Sequence, residues 1–333
     1  MKPLHKIIVN KDTSFNPIWI MRQAGRYLPE FREIRKKNPD FINLCLNNDL
    51  SSEITLQPIK RFDLDAAIIF SDILMLPYGL GQKVKFEKNF GPRLEKLNLY
   101  EISKVDETDF VEKVKGVYKA IKEVSLNPDL DDKNTIGFVG APWTLLVYMI
   151  NCQSPKKNLK KDFFKDKIIM NKILLIIEKF LKIHIKNQVD NGANIIQIFD
   201  SWAGLLEKKD LPKYIYTPTL NLVNYVKSLN TPVICFPREI KDYKEYCDTV
   251  KPDAISIDYN VDPKKILRDI KIPIQGGLDP KVLLTDKDTL KKEASKYLDT
   301  FKDHPYIFNL GHGVLPETNP SMFEYLVKTV KNY

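Results

Sequence analysis

The chain has 333 residues, 43% of them hydrophobic and 29% charged, which allows a large buried core and fits a globular protein better than a disordered or fibrous one. No run of 18 apolar residues occurs, which argues against a membrane-spanning helix, and the opening stretch MKPLHKIIVNKD lacks the long apolar segment of a secretory leader. The net charge of +9 is carried by lysines interleaved with acids, so it reads as a lysine-rich background rather than the concentrated face of a nucleic-acid binder.

In chain order, short apolar runs recur at Pro17–Met21, Ala66–Phe70, Thr135–Gly140, Asn194–Phe199, Pro232–Phe236, Ala254–Asp258, Pro273–Gly277 and Tyr306–Leu310. Each has the length of a strand and is apolar at most positions, as expected for parallel strands covered on both faces. Longer segments of helical periodicity separate them. Residues 168–189 are the clearest, with Ile173, Ile176, Ile177, Phe180, Ile183 and His184 on one face, so His184 reads as a core residue. Asp210-Leu-Pro212 is a helix start, and Pro218 is placed to kink or divide the helix that follows. Two connections, 71–134 and 141–193, are too long for a single helix.

Eight strand-like runs alternating with helices indicate an α/β protein, a single (β/α)8 barrel with extended βα connections, with a doubly wound open sheet as the alternative. The open sheet often brings a glycine-rich first turn, whereas Gly79-Leu-Gly81 has no third glycine in register. No linker or repeat divides the chain, so residues 1–333 read as one domain. Four cysteines (Cys45, Cys152, Cys235 and Cys247) have no CxxC spacing and no clustered histidines, which points to reduced, mostly buried thiols in a cytoplasmic protein.

Arginine usage is uneven. Four of the eight arginines, Arg22, Arg26, Arg32 and Arg35, fall in one 14-residue window, while Arg61, Arg93, Arg238 and Arg268 lie elsewhere among 44 lysines. A guanidinium grips carboxylate or phosphate through two parallel hydrogen bonds, which lysine cannot copy. The window overlaps the first apolar run, so Arg22 and Arg26 sit at the end of a rigid element. That is a site for an anion with several carboxylates, or else a solvated charged segment with Glu30 and Glu33 as partners.

In a barrel the ligand site lies at the C-terminal ends of the strands. Arg22 and Arg26, Asp72, Trp143 and Tyr148, Asp200 and Ser201, and His312 between Gly311 and Gly313 all follow predicted strands. Each has a second reading. Asp72 and Ser201 could cap helices, Tyr148 could be a core aromatic, and His312 could be bonded to a backbone carbonyl.

The segment Pro17-Ile-Trp-Ile-Met-Arg-Gln-Ala-Gly-Arg-Tyr-Leu-Pro-Glu-Phe-Arg32 resembles the N-terminal signature of the uroporphyrinogen decarboxylase family, and Gly137-Phe-Val-Gly-Ala-Pro-Trp143 is similar to its second signature. Phe70-Ser-Asp-Ile73, Phe199-Asp-Ser-Trp-Ala-Gly204, Gln275-Gly-Gly-Leu-Asp-Pro280 and Asn309-Leu-Gly-His-Gly313 follow in the family's order. The resemblance implies a homodimer of (β/α)8 barrels that removes four acetate carboxyls from uroporphyrinogen III without metal or organic cofactor, and it implies neither a nucleic-acid nor a membrane partner. It places Asp72 at the centre of the macrocycle and makes Arg22 and Arg26 substrate-carboxylate ligands, with Arg22 also a candidate proton donor. Gln23, Ala24 and Gly25 complete the binding loop, Tyr148, Ser201 and His312 are further substrate contacts, and Arg35 reaches another carboxylate. Trp202 stands where some relatives have histidine.

Two competing expectations follow from the residues. A zinc-dependent corrinoid methyltransferase would need histidine near Cys235 or Cys247, and none is near in sequence. A nucleic-acid-binding protein would show salt-sensitive DNA retention.

Overall fold

In the computed structural model, residues 1–87, 90–155, 159 and 163–333 are described. The chain enters through α1 (Pro3–Ile8), crosses an extended stretch, and forms α2 (Pro29–Lys37), α3 (Phe41–Leu46) and α4 (Asn48–Arg61) before β1 (Ala66–Ile68). Asp40 and Asn47 start α3 and α4 by accepting the backbone N–H groups of Asn43 and Leu50. The first long connection carries α5 (Met75–Gly79), the antiparallel hairpin β2 (Val84–Glu87) and β3 (Gly91–Leu94), α6 (Leu99–Ser103) and α7 (Glu107–Ser125). It leads to β4 (Asn134–Gly140). The second carries α8 (Pro142–Asn151) and α9 (Lys167–Asp190) and leads to β5 (Ile195–Asp200).

The remaining units are regular: α10 (Thr217–Ser228), β6 (Val233–Pro237), α11 (Tyr243–Val250), β7 (Ala254–Ile257), α12 (Pro263–Asp269), β8 (Ile274–Gly276), α13 (Lys287–Phe301), β9 (Tyr306–Ile307) and α14 (Pro320–Lys331). The helix start read at Asp210-Leu-Pro212 is a π-helical turn over Pro212–Tyr216 that passes into α10, so the division expected near Pro218 falls at Thr217. His184 is buried on α9 and hydrogen-bonds Tyr118 Oη through Nδ1 at 2.8 Å. Cys45 and Cys235 are buried, Cys152 and Cys247 are half-buried, and all four are free.

Seven strands form one curled parallel sheet in the order β1-β4-β5-β6-β7-β8-β9. Side chains alternate between two apolar layers along them. Ile136, Ile195, Ile234, Phe236, Ala254 and Ile307 join Trp19 and Met21 inside the curl, while Val139, Ile196, Ile198, Val233, Cys235 and Ile255 pack outward against the helices. Among the described residues no helix is long and apolar enough to cross a membrane.

The first predicted strand, Pro17–Met21, makes only one bridge, Ile18 to Phe308. It nevertheless contacts both edges of the sheet, because Phe308 N–H donates to Pro17 O at 2.8 Å and Asp65 N–H donates to Ile18 O at 2.9 Å. The ladder does not form because side chains take the segment's donors. Ile18 N–H goes to an Asp65 carboxylate oxygen at 2.7 Å, Ile20 N–H to Gln23 Oε1 at 3.0 Å and Met21 N–H to Asn309 Oδ1 at 3.0 Å. β1 also stops short of Phe70, whose N–H and C=O are held by Thr55 and Ser51 of α4.

Candidate active site

Arg22 leaves the end of the extended segment with φ of 61°, a left-handed conformation that costs a non-glycine residue energy. Its side chain lies across Gly313, where a Cβ would come within 2.4 Å of Arg22 Cδ. The residue is open to solvent, yet surrounding protein lowers its pKa, as on the floor of a cleft. Against that burial act the charges of Asp72 and Tyr148, while Arg26 and Arg238 add to it. One cleft therefore gathers residues that follow the first segment, β1, β4 and β6.

Gln23 turns inward. It is fully buried, its Oε1 holds Ile20 N–H and its Nε2 donates to Ala66 O at 3.0 Å. Its carbonyl accepts the Tyr27 hydroxyl at 2.8 Å, so it fixes the loop that passes through Ala24 and Gly25 to the exposed Arg26. The solvated-segment reading gave the arginines Glu30 and Glu33 as partners. Instead Glu30 pairs with Arg61 at 3.1 Å, and among the described residues neither Arg22 nor Arg26 has an ion pair. Arg35, on α2, donates to Asn38 O at 2.6 Å and lies over the Phe41 ring.

Asp72 follows β1. Its Oδ1 accepts Leu74 N–H at 2.9 Å in the turn ahead of α5, but the cap residue of that helix is Leu74 and no side chain bonds its first turn, so Asp72 is not its cap. Burial outweighs that bond and the Arg22 charge, and lifts its pKa to about 6. Tyr148, half-buried on α8, packs edge-on to Trp202 at 5.9 Å, and burial with the Asp72 charge raises its hydroxyl to about 12. Ser201 caps nothing: the short helix beyond it begins at Ala203 with Trp202 as its cap residue and no side-chain bond. His312 is half-buried, and burial with the nearby Arg22 and Arg238 charges lowers it to about 4, so it is neutral at pH 7.

Below these groups Phe138, Phe199 and Phe236, on β4, β5 and β6, form an apolar tier with ring centroids 5.7 and 6.3 Å apart. Asp200 ends β5 fully buried. Its Oδ1 accepts Thr144 Oγ1 at 2.6 Å, and Thr144 also accepts Trp202 N–H at 3.1 Å, which ties the Ser201 turn to α8. Asp200 Oδ2 has no hydrogen-bond partner among the described residues, and burial raises the group to about 7.

Arg238 lies outside the arginine cluster of residues 22–35 and is not among the residues the sequence patterns mark for the site. The available signal is its place two residues beyond the predicted strand Pro232–Phe236. The thiols are poor metal ligands: burial raises Cys235, and it raises Cys247 to about 12. Among the described residues no three His, Cys, Asp or Glu side chains are grouped to hold a metal ion.

Arginines gathered at the C-terminal ends of a curled parallel sheet, beside carboxylates whose pKa burial raises, are the arrangement an α/β enzyme would need for an anionic substrate. Residues 1–333 match the family described as Uroporphyrinogen decarboxylase (URO-D). The chain is 40% identical over 324 residues to a uroporphyrinogen decarboxylase of Rickettsia bellii (strain RML369-C), which covers 95% of each chain. It is 41% identical over 335 residues to that of Orientia tsutsugamushi (strain Ikeda), across 97% of this chain and 96% of the relative. Among solved structures it is similar to a methyltransferase from Methanosarcina mazei, with a TM-score of 0.78 at 16% identity over 99% of this chain and 97% of that one. That likeness concerns the fold alone. The chain belongs to the uroporphyrinogen decarboxylase family.

Proposed function

We propose that this chain is a carboxy-lyase of porphyrin biosynthesis that removes the four acetate carboxyls of uroporphyrinogen III as CO2 and leaves coproporphyrinogen III. The observation that carries the reading is the convergence of Arg22, Asp72, Tyr148 and His312 on one cleft in a chain that matches the family from end to end. The architecture we assign is one (β/α)8 domain over residues 1–333, with 17–21 as the eighth stave. The hydrogen bonds from that segment to Asp65 and Phe308 support this, as does an outer core running from Ile18 to Val330. The working form is a cytoplasmic homodimer.

The pyrrole serves as its own electron sink. A proton adds to a ring α-carbon and gives a cation. The bond to the departing carboxyl breaks, and its electron pair flows into that cation. The exocyclic methylene is then protonated to a methyl, and the α-proton is lost again. Asp72, ionised above about pH 6, accepts hydrogen bonds from pyrrole N–H groups and stabilises the cation electrostatically. Arg22 and Arg26 hold substrate carboxylates, with Arg22, its pKa lowered by the surrounding protein, as proton donor. Gln23, Ala24 and Gly25 shape the loop between them. Tyr148, Ser201 and the neutral His312 supply hydrogen bonds around the rim, and Arg35 acts at its edge. The aromatic tier excludes water beneath the macrocycle.

The test is anaerobic incubation of the purified chain with uroporphyrinogen III, followed by oxidation and separation of the porphyrins. Four-carboxyl product should accumulate. Unchanged eight-carboxyl substrate would overturn the assignment.

A further inference from the structure

We propose that Arg238 is a substrate-binding residue that clamps a pyrrole side-chain carboxylate on the wall of the cleft opposite the Arg22 loop. The proposal rests on the decarboxylase reading and adds an arginine outside the N-terminal cluster to it.

Arg238 directly follows β6, beside Phe236 of the aromatic tier. Its side chain is 20% exposed, and its buried Nε has no hydrogen-bond partner among the described residues. Only one end of the fork is engaged, by the neighbouring Glu239, whose own side chain is 46% exposed. A buried guanidinium N–H without an acceptor costs free energy, and an incoming carboxylate would supply that acceptor.

The backbone around it is pinned from several sides. Arg238 N–H donates to Asp200 O at 3.1 Å, and Arg238 O accepts Gly204 N–H at 3.1 Å. Glu239, with φ of 61°, donates its N–H to Asp258 at 2.9 Å. Gly204 allows the close approach, since a Cβ there would lie 2.6 Å from Glu239 Cβ. A left-handed non-glycine residue held by three strand ends is strain kept in place to aim a side chain. The direction of that aim follows from its neighbours, because the Arg238 charge acts on both Arg22 and His312. Arg22 and Arg238 face Asp72 and Glu239 there, yet Arg22 has no ion pair among the described residues and Arg238 keeps a free Nε–H, which leaves donors for a polyanion.

The experiment compares wild type, Arg238→Met and Arg238→Lys in anaerobic turnover, with thermal unfolding of each. Arg238→Met should raise KM for uroporphyrinogen III by roughly ten- to a hundredfold with kcat little changed, and Arg238→Lys should recover part of the loss. Melting temperature should stay near wild type, because methionine keeps the apolar stem, removes a buried N–H that has no acceptor, and leaves behind only Glu239, whose side chain is 46% exposed. Binding of coproporphyrinogen III, which keeps only propionates, then identifies the clamped group. A parallel loss of product affinity marks a propionate, and unchanged product affinity marks a departing acetate. Wild-type turnover with an unaltered KM in Arg238→Met, or a KM change matched by collapse of stability in both variants, would overturn the role of Arg238 alone. Absence of wild-type turnover would overturn the decarboxylase reading and this role with it.

Discussion

Two aspartates flank the three-residue strand β1, and their surroundings differ completely. Asp65, just before the strand, accepts Ile18 N–H at 2.7 Å on one carboxylate oxygen and Lys331 Nζ at 2.6 Å on the other. Asp72, four residues beyond the strand, has one backbone N–H and a carboxyl lifted to about 6 by burial. The contrast extends to the two ends of the sheet. At the N-terminal end Asn134 bonds Leu4, His5 and Asn194, closing a satisfied polar network. At the C-terminal end lie a left-handed Arg22, an unpaired Asp200 oxygen and an unpaired Arg238 N–H. The N-terminal end is not free of unmet groups, since the buried Thr135 Oγ1 beside Asn134 also lacks a partner, but its charged side chains are paired, whereas the unpaired groups at the C-terminal end include a carboxylate and a guanidinium.

The sharpest way to break this comparison is to exchange the roles of the two carboxylates. Asp72→Asn should fold normally and lose about 2.7–4 kcal/mol of transition-state stabilisation, a hundredfold or more in kcat, because an amide cannot neutralise a cation. In wild type the rate should fall as pH drops through about 6, where Asp72 takes up its proton. Near-normal kcat in a folded Asp72→Asn protein would remove the residue from the centre of the mechanism. Asp65→Ala should do the reverse. It strands the buried Ile18 N–H and leaves Lys331 with only the longer Asp63 contact at 3.8 Å, so unfolding in urea should show a loss of about 2–3 kcal/mol. Its turnover per folded molecule should change far less than that of Asp72→Asn. Equal stability losses in the two variants would erase the distinction.

Arg26→Lys probes the rim without touching the core. The charge stays but the two-bond fork is lost, which removes roughly 1.5–3 kcal/mol from a charge-assisted contact, or one to two decades in substrate affinity. Melting temperature should hold, since Arg26 is exposed and has no ion pair among the described residues. A stability loss as large as the affinity loss would make Arg26 a structural residue instead.

The legible parts of this molecule are those where one rule dominates. Seven apolar runs became strands because burial on both faces demands continuous apolar sequence, and the strand-end polar residues followed from that. The first run, Pro17–Met21, does not form a regular strand because its donors are taken by Asp65, Gln23 and Asn309, and nothing in a local apolar pattern announces the carboxylate of Asp65 or the amide of Asn309 arriving from 47 and 288 residues away. Gln23 itself sits only three residues along, yet its inward turn depends on Ala66 O in β1. The hairpin β2–β3 stayed hidden within a connection read only as too long. Gly313 was legible as permissive, but that Arg22 fills its space is a tertiary fact.

The smallest expected effect concerns Asp200, which belongs to both halves of the comparison because it ties the Ser201 turn to Thr144 yet leaves one oxygen unpaired. Burial raises its pKa to about 7 from an ordinary value of 3.8. Between those values the folded chain keeps a proton that the unfolded chain has released, so stability falls as pH rises through this window and levels off above about 7. His312 acts in the opposite sense. Its folded value of about 4 lies below 6.5, so its contribution to stability grows as pH rises between the two. The pH dependence of wild type alone therefore mixes both signs, and the difference between wild type and Asp200→Asn isolates one of them. Asparagine keeps an acceptor for Thr144 and never ionises. Relative to wild type it should gain about 2 kcal/mol between pH 5.5 and pH 8, while the unmet need of its amide N–H groups lowers its stability equally at both pH values. Urea unfolding of both proteins at the two pH values measures this directly. A difference between the two proteins that is the same at both pH values would mean that Asp200 is already ionised in the folded chain at pH 5.5, and that burial does not hold its proton.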